Sequence, residues 1–290
     1  MDEPGTVKMI QDIKTTEQIE QSLHKKFRKT IWRPFIAGVK KYELIRKNDS
    51  IAVCISGGKD SFLLAKLMQE LCKYTHTPFT LFFLVMNPGY DDASLARIKA
   101  NAEHLQVPIK IFETDIFNIV EKTGRSPCYL CARMRRGYLY SEAGKLGCNK
   151  IALGHHLSDV VETTLMGMLF GSQYQVMMPK LKSKNFEGLE LIRPMYCVVE
   201  EDIVKWKNYN NLSFVGCSCP LSAYRNPSDS SEGGSKRLEV KTLLKQLKQQ
   251  GNKHVETSVF NSLQMLNLDT AIGYKKNGKE YSFLDEYDMS

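Results

Sequence analysis

Short apolar runs alternate with amphipathic stretches through the first two thirds of the chain. Ser50-Ile51-Ala52-Val53-Cys54-Ile55 is almost continuously apolar, as a strand covered on both faces of a parallel sheet must be. Phe79–Met86 (FTLFFLVM) repeats the pattern; Pro108–Phe112, Ile151–Leu153 and Leu189–Arg193 give a third, fourth and fifth strand. Between the first two, Leu63, Leu64, Leu67, Met68 and Leu71 recur at helical spacing across Phe62–Tyr74. Leu95, Ile98, Ala102 and Leu105 do the same between the second and third. Strands alternating with helices predict βαβ units, hence an α/β fold with a doubly wound parallel sheet. Ligands in such sheets bind beyond the carboxyl ends of the strands. The loop after the first strand and the Gly154-His155-His156 turn after the fourth are therefore expected on one edge.

The flanks read differently. Residues 1–20 are polar and weakly periodic, as in a loose leader, and 21–47 form a basic helical segment with Pro34 as a kink. The α/β pattern then occupies 48–225. Residues 226–290 hold the polar loop NPSDSSEGG, helices over Lys236–Gln250 and Val255–Leu266, and a hairpin around Asn277-Gly278.

Composition adds three constraints. Hydrophobic residues at 42% and charged residues at 25% suit a soluble globular chain. No apolar run approaches the roughly 20 residues that span a bilayer, and Met1-Asp2-Glu3-Pro4-Gly5 lacks the basic start of a secretory signal. Cytoplasm, with no membrane partner, is the expectation. In that setting eight cysteines read as buried thiols, metal ligands or redox groups rather than a disulfide framework. Cys54, Cys72, Cys148 and Cys197 read as small core residues. The net charge of +8 favours an anionic partner. Much of it lies between Lys25 and Lys47, where Lys25, Lys26 and Arg28 mingle with Phe27, Trp32, Phe35 and Tyr42. Such a mixture can grip phosphates and stack on bases. It also describes an amphipathic helix whose apolar face packs inward under a solvated basic face, and the two readings are compatible.

Two stretches carry chemistry. In Ser56-Gly57-Gly58-Lys59-Asp60-Ser61 two glycines let the backbone turn tightly against an anion, and amides at the following helix start point at phosphate. Ser56 and Ser61 add hydroxyl donors and Lys59 adds charge. Asp60 belongs beside phosphates only if a divalent cation bridges them. The spacing is not that of a Walker loop. The second stretch, Pro127-Cys128-Tyr129-Leu130-Cys131-Ala132-Arg133-Met134-Arg135-Arg136-Gly137, sets a CxxC pair before three arginines. Such a pair serves zinc, a redox disulfide or an iron–sulfur cluster. Zinc wants four ligands, and Cys217-Ser218-Cys219, with one residue between its thiols, makes joint chelation awkward. Three cysteine ligands would leave one iron of a [4Fe–4S] cluster open to an exogenous sulfide. Arg133, Arg135 and Arg136 place positive charge where a thiolate cluster or an RNA phosphate needs it.

The hexapeptide resembles the SGGxDS signature of the PP-loop ATP pyrophosphatases. Together with PCxxCxRxRRGxLY, IALGHHxxD and IRP with Tyr-Cys, it resembles the tRNA 2-thiocytidine synthetase group, from about Lys25 to Cys219. The resemblance implies ATP cleaved to AMP and pyrophosphate, with Ser56, Gly57, Gly58, Lys59, Asp60, Ser61, Met86, Asn87, Gly154 and His155 around the nucleotide. It implies Mg²⁺ held with the help of Asp60, and a [4Fe–4S] cluster on Cys128, Cys131 and Cys219, with Cys217 in reserve and zinc the lesser choice. Asp60, Cys128, Cys131 and Asp159 form the implied catalytic set. Lys25, Lys26, Arg28, Arg133, Arg135 and Arg136 would guide tRNA. A sulfur donor, either a cysteine desulfurase or sulfide, and a homodimer complete the expectation. The chain departs from the group where Leu157 and Ser158 replace an arginine and an aspartate, and in its CxC spacing. The function expected is ATP-dependent thiolation of a tRNA pyrimidine, cytidine favoured. The alternative is sulfur chemistry on a free base or other small molecule by the same ATP fold and cluster.

Overall fold

The computed structural model describes residues 14–117, 119, 127–216 and 232–287. Contacts divide the chain into two compact units, Met1–Leu238 and Glu239–Ser290.

The first unit is built on a six-stranded sheet. Its strands are β1 (Ser50–Ile55), β2 (Thr80–Asn87), β3 (Ile109–Glu113), β4 (Lys150–Ala152), β5 (Lys180–Lys182) and β6 (Glu190–Ile192), in spatial order β3-β2-β1-β4-β6-β5. Pairings β1–β2, β1–β4, β2–β3 and β4–β6 are parallel; β5 runs antiparallel at the edge. The five expected strands are present. β5 escapes sequence reading because Lys180-Leu181-Lys182 is short, exposed and has one apolar residue, so no alternation betrays it. Chain order reverses direction between β1 and β4, and the loops leaving both strands diverge there, which opens a crevice at their carboxyl ends.

Seven helices of this unit matter to the site. They are α1 (Thr16–His24), α2 (Arg33–Lys41), α3 (Lys59–Tyr74), α4 (Asp92–His104), α5 (Pro127–Lys145) and α6 (Leu157–Gly171), followed by α7 (Glu200–Tyr209). Because helix α3 is buried from Ser61 to Met68, its polar Lys66 and Glu70 are carried inside with the leucines. They are met by α1: Lys66 Nζ lies 2.5 Å from Glu20 Oε1, and Glu70 Oε2 lies 2.7 Å from His24 Nε2. The leader expected over 1–20 is therefore helical from Thr16 onward. Thr15 and Gln18 form a reciprocal capping box there, with Ile19 and Leu23 buried.

The basic segment corrects one expectation. Phe27 and Phe35 are buried, and Trp32 and Tyr42 pack on the same core, so these rings are not presented for base stacking. Between α1 and α2 a π-helical turn, Arg28–Trp32, keeps Ile31 inward while Lys25, Lys26 and Arg28 stay exposed. Lys26 Nζ lies over the Tyr209 ring, 3.8 Å from its centroid.

A further helix, α8 (Glu232–Gln249), runs across the boundary between the units. The second unit continues with α9 (Val255–Ser262) and an antiparallel hairpin of β7 (Gly273–Lys276) and β8 (Lys279–Ser282). Asn277 and Gly278 both take positive φ at its tip, as a two-residue hairpin turn requires. Among the described residues no helix is long and apolar enough to cross a membrane.

Candidate active site

The loop between β1 and α3 is held by its own hydroxyls. Ser61 Oγ accepts from the Ser56 backbone N–H at 3.2 Å and from Ser56 Oγ at 3.3 Å, and donates to the Gly58 carbonyl at 2.9 Å. Gly57 takes φ +87°, and a Cβ there would stand 2.8 Å from Ile98 Cγ1 on α4, so glycine is required twice over. Gly58 is the N-cap of α3 and no side chain caps that turn. Its amides face the crevice as an anion site with the positive end of the helix dipole behind them.

Lys59 Nζ bridges Asp60 Oδ2 at 3.1 Å and Glu200 Oε1, at the start of α7, at 3.0 Å. Burial works to lower the Lys59 pKa, but Asp60 and then Glu200 outweigh it, and the ammonium titrates above its ordinary value. Asp60 Oδ1 is buried without a hydrogen bond and lies 3.8 Å from His156 Nε2. An orphaned carboxylate oxygen beside an anion-binding loop fits a divalent cation.

The turn after β4 closes the other wall. A Cβ on Gly154 would lie 3.2 Å from the Asp60 carbonyl carbon and from Ser61 N, so only a very small residue lets the two loops touch. His155 Nδ1 is buried without a hydrogen bond. Its pKa is pushed down to about 4, first by burial and then by the Arg193 charge, with Asp159 pulling the other way. His156 is the N-cap of α6: its Nδ1 accepts from Asp159 N at 3.3 Å, and Asp159 Oδ2 accepts from His156 N at 3.1 Å. Ser158, in place of the expected aspartate, accepts a hydrogen bond from Glu200 N at 3.2 Å and so ties α6 to α7.

Two hollows flank the loop. The inner one, about 290 Å³, is lined by Cys54, Ser61, Met86, Leu153, Gly154, His155 and Asp159, among others. The outer one, about 460 Å³, is lined by Gly58, Lys59, Lys207, Phe214, Val215 and Gly216. Ser56, Asp60, Tyr90 and Arg135 line both, so the two form one cleft astride the phosphate loop. Met86 thus faces the cleft. Asn87 lines neither hollow; its Oδ1 accepts from Gly89 N at 3.1 Å and Tyr90 N at 2.7 Å, building the turn that brings Tyr90 to the wall.

The CxxC stretch opens α5. Cys128 and Cys131 occupy positions one turn apart, and Arg135 lies one turn further on. Cys131 is buried against Met86, Ile116 and Phe117. Arg135 is half-buried in the cleft wall, whereas Arg133 and Arg136 are exposed. Cys217 and Cys219 lie outside the described residues; Gly216, immediately before them in sequence, lines the outer hollow. Among the described residues no cluster of three or more His, Cys, Asp or Glu side chains could hold a metal. The donor set still suits an iron–sulfur cluster: two cysteine positions a turn apart at a helix start, beside guanidinium groups, with further cysteines following Gly216.

Sequence reading missed Glu200, Arg193 and Arg237. Arg193 is buried and donates through Nη1 to the Met178 carbonyl, with its Nε buried and unpaired. Glu200 is one of three acidic residues opening α7, which alone signals only a helix start.

The chain is similar to known proteins in sequence and in fold. The PP-loop domain family matches residues 16–218. The tRNA-cytidine(32) 2-sulfurtransferase of Geobacter sulfurreducens is 34% identical over 256 residues, covering 85% of this chain and 92% of that protein. The enzyme of the same name from Pelobacter propionicus is 35% identical over 225 residues, 77% of this chain and 80% of its own. In structure, the U34-tRNA thiolase NcsA from Methanococcus maripaludis, solved with its [4Fe-4S] cluster, superposes with TM-score 0.63. It is 22% identical and spans 79% of this chain and 76% of that one, a likeness of fold. With its loop, its turn and its cysteine helix converging on the carboxyl edge of the sheet, the chain belongs to the PP-loop family, among the relatives of the tRNA-cytidine(32) 2-sulfurtransferases.

Proposed function

We propose that the chain is an ATP-dependent tRNA sulfurtransferase acting on a pyrimidine of the anticodon loop, cytidine 32 in the first instance. The observation that carries this is the single cleft in which the phosphate loop, Arg135 of the CxxC helix and Gly216 meet. Activation and sulfur delivery need a common space, and that cleft supplies it.

In this reading Ser56–Ser61 binds the triphosphate through amides and hydroxyls, and Met86, Gly154 and His155 enclose the adenine. Asp60 holds Mg²⁺ through Oδ1, the oxygen that accepts no hydrogen bond. ATP binding draws Lys59 from Glu200 toward the phosphates. The pyrimidine carbonyl oxygen attacks the α-phosphorus, the bond to the β-phosphate oxygen breaks, and pyrophosphate leaves. Lys59 and the start of α3 stabilise the charge that builds on the phosphates. Sulfide then adds to the activated carbon, and AMP departs with the original oxygen. Cys128, Cys131 and Cys219, with Cys217 in reserve, would hold a [4Fe–4S] cluster, whose contribution when bound is an open iron for the incoming sulfide. Arg135 sets positive charge between the two halves of the cleft, and Lys25, Lys26, Arg28, Arg133 and Arg136 steer the RNA. Sulfide or a cysteine desulfurase supplies the sulfur, and the chain works as a homodimer.

Anaerobic purification tests both halves. The expected protein is brown, loses its cluster absorbance in Cys128→Ala, and releases AMP only when unmodified tRNA and sulfide are both present. A colourless protein with stoichiometric zinc sinks the cluster assignment; AMP release with a free base in place of tRNA sinks the RNA substrate.

A further inference from the structure

A guanidinium from far along the chain meets the acidic start of α6. Arg237, on α8, lies beyond residues 16–218 that match the PP-loop family. Its Nη1 is 3.5 Å from Asp159 Oδ1, its Nε is 3.5 Å from Glu162 Oε2, and its Nη2 donates to Thr163 Oγ1 at 3.2 Å. Positions 159, 162 and 163 share one face of α6, so a single planar fork spans all three. Glu162 is buried and Asp159 half-buried, and two carboxylates one turn apart repel unless a cation stands between them. The other oxygen of Asp159 is engaged with His156, through the backbone N–H at 3.1 Å and Nε2 at 3.4 Å. His156 Nε2 in turn stands 3.8 Å from Asp60 Oδ1. A continuous line of polar contacts thus leads from Arg237 through Asp159 and His156 to the carboxylate of the phosphate loop.

We propose that Arg237 is a positioning residue of the nucleotide site. By holding Oδ1 of Asp159 it keeps Oδ2 on the start of α6, and His156 aimed at Asp60. It also neutralises a carboxylate that lines the same inner hollow as Asp60 and would otherwise repel a triphosphate. A lysine would supply the charge without the fork that spans three acceptors. The proposal rests on reading the hollow as the ATP site.

The test is the dissociation constant of a magnesium–ATP analogue that cannot be hydrolysed, measured by calorimetry on the full chain without tRNA. Arg237→Ala is expected to weaken binding about 10-fold or more, as loss of a group supporting a metal-bound ligand does. Arg237→Lys should recover only a small part of that, and added ethylguanidinium should restore Arg237→Ala while leaving the unmodified chain unchanged. Binding retained in Arg237→Ala overturns the proposal, and so does a loss that ethylguanidinium does not reverse. Full binding in Arg237→Lys also overturns it, since charge alone then suffices. If the alanine variant does not fold, Arg237→Gln takes its place in the same measurements, with the same losses expected and the same results overturning the proposal. An unmodified chain that binds no ATP analogue removes the reading of the hollow before any variant is compared.

Discussion

His155 combines burial with a crowd of charges. Its pKa falls to about 4 because the imidazole is buried and because Arg193, His156 and Arg237 oppose a proton there, against the pull of Asp159. In the unfolded chain it titrates near 6.5, its ordinary value. Between those two values the unfolded state binds more protons than the native one, so this residue lowers stability as pH falls through the window. A neutral His155→Gln is therefore expected to flatten the loss of stability between pH 6.5 and pH 4, followed by urea denaturation. An unchanged pH slope would mean that the imidazole is not held neutral. The resemblance of its motif points to His155 as a nucleotide contact, but says nothing of its electrostatics. Arg193 and Arg237 approach it from separate elements, and no local spacing announces them.

At the level of elements, a buried charge on α3 is met by a carboxylate on α1. Lys66 is 1% exposed, and its Nζ is shared between Glu20 Oε1 at 2.5 Å and the Leu105 carbonyl at 3.0 Å. Removing one partner of such a pair leaves an uncompensated charge, whereas replacing the pair by apolar groups of similar size is often neutral. Glu20→Ala is expected to lower stability by about 3 kcal/mol, and adding Lys66→Met to that variant to restore most of it. Denaturation midpoints of the two variants check this; equal losses in both would sink it. A nine-residue helix with two apolar positions gives a faint periodic signal in sequence, and most of its stability comes from packing. That is why α1 reads as a leader until its partner is in view, whereas α3, with five leucine and methionine positions, announces itself.

Across the whole molecule, charge decides how an RNA is met. The net +8 includes the exposed Lys25, Lys26, Arg28, Arg133 and Arg136. With their aromatic neighbours turned into the core, the proposed RNA-guiding role of these basic side chains would rest on phosphate contacts. Affinity for tRNA should then fall steeply with salt, each lost phosphate contact reducing the log–log slope by about 0.7–0.9. Lys25→Glu with Lys26→Glu is expected to reduce the slope by about 1–2 and to leave ATP affinity unchanged, read by filter binding and calorimetry. A slope that does not move would take this segment out of the RNA surface.

The parallel strands, the phosphate loop and the CxxC helix start can be read from the residues alone, because each depends on contacts within a short stretch of chain. A buried strand must be apolar throughout, a backbone that turns onto an anion must be glycine, and two ligands on one helix face must be a turn apart. The remote groups that complete the cleft come together only through the fold. Glu200 reaches Lys59 across 141 positions and Arg237 reaches Asp159 across 78. Such pairs form only when the reversal of strand order between β1 and β4 brings their elements to one edge. Periodicity shows that Phe27 and Phe35 have a buried face, and their place in the main core cluster decides that this face is core rather than RNA surface. The phosphate loop is thus a local fact of the sequence, and the site around it is a product of the fold.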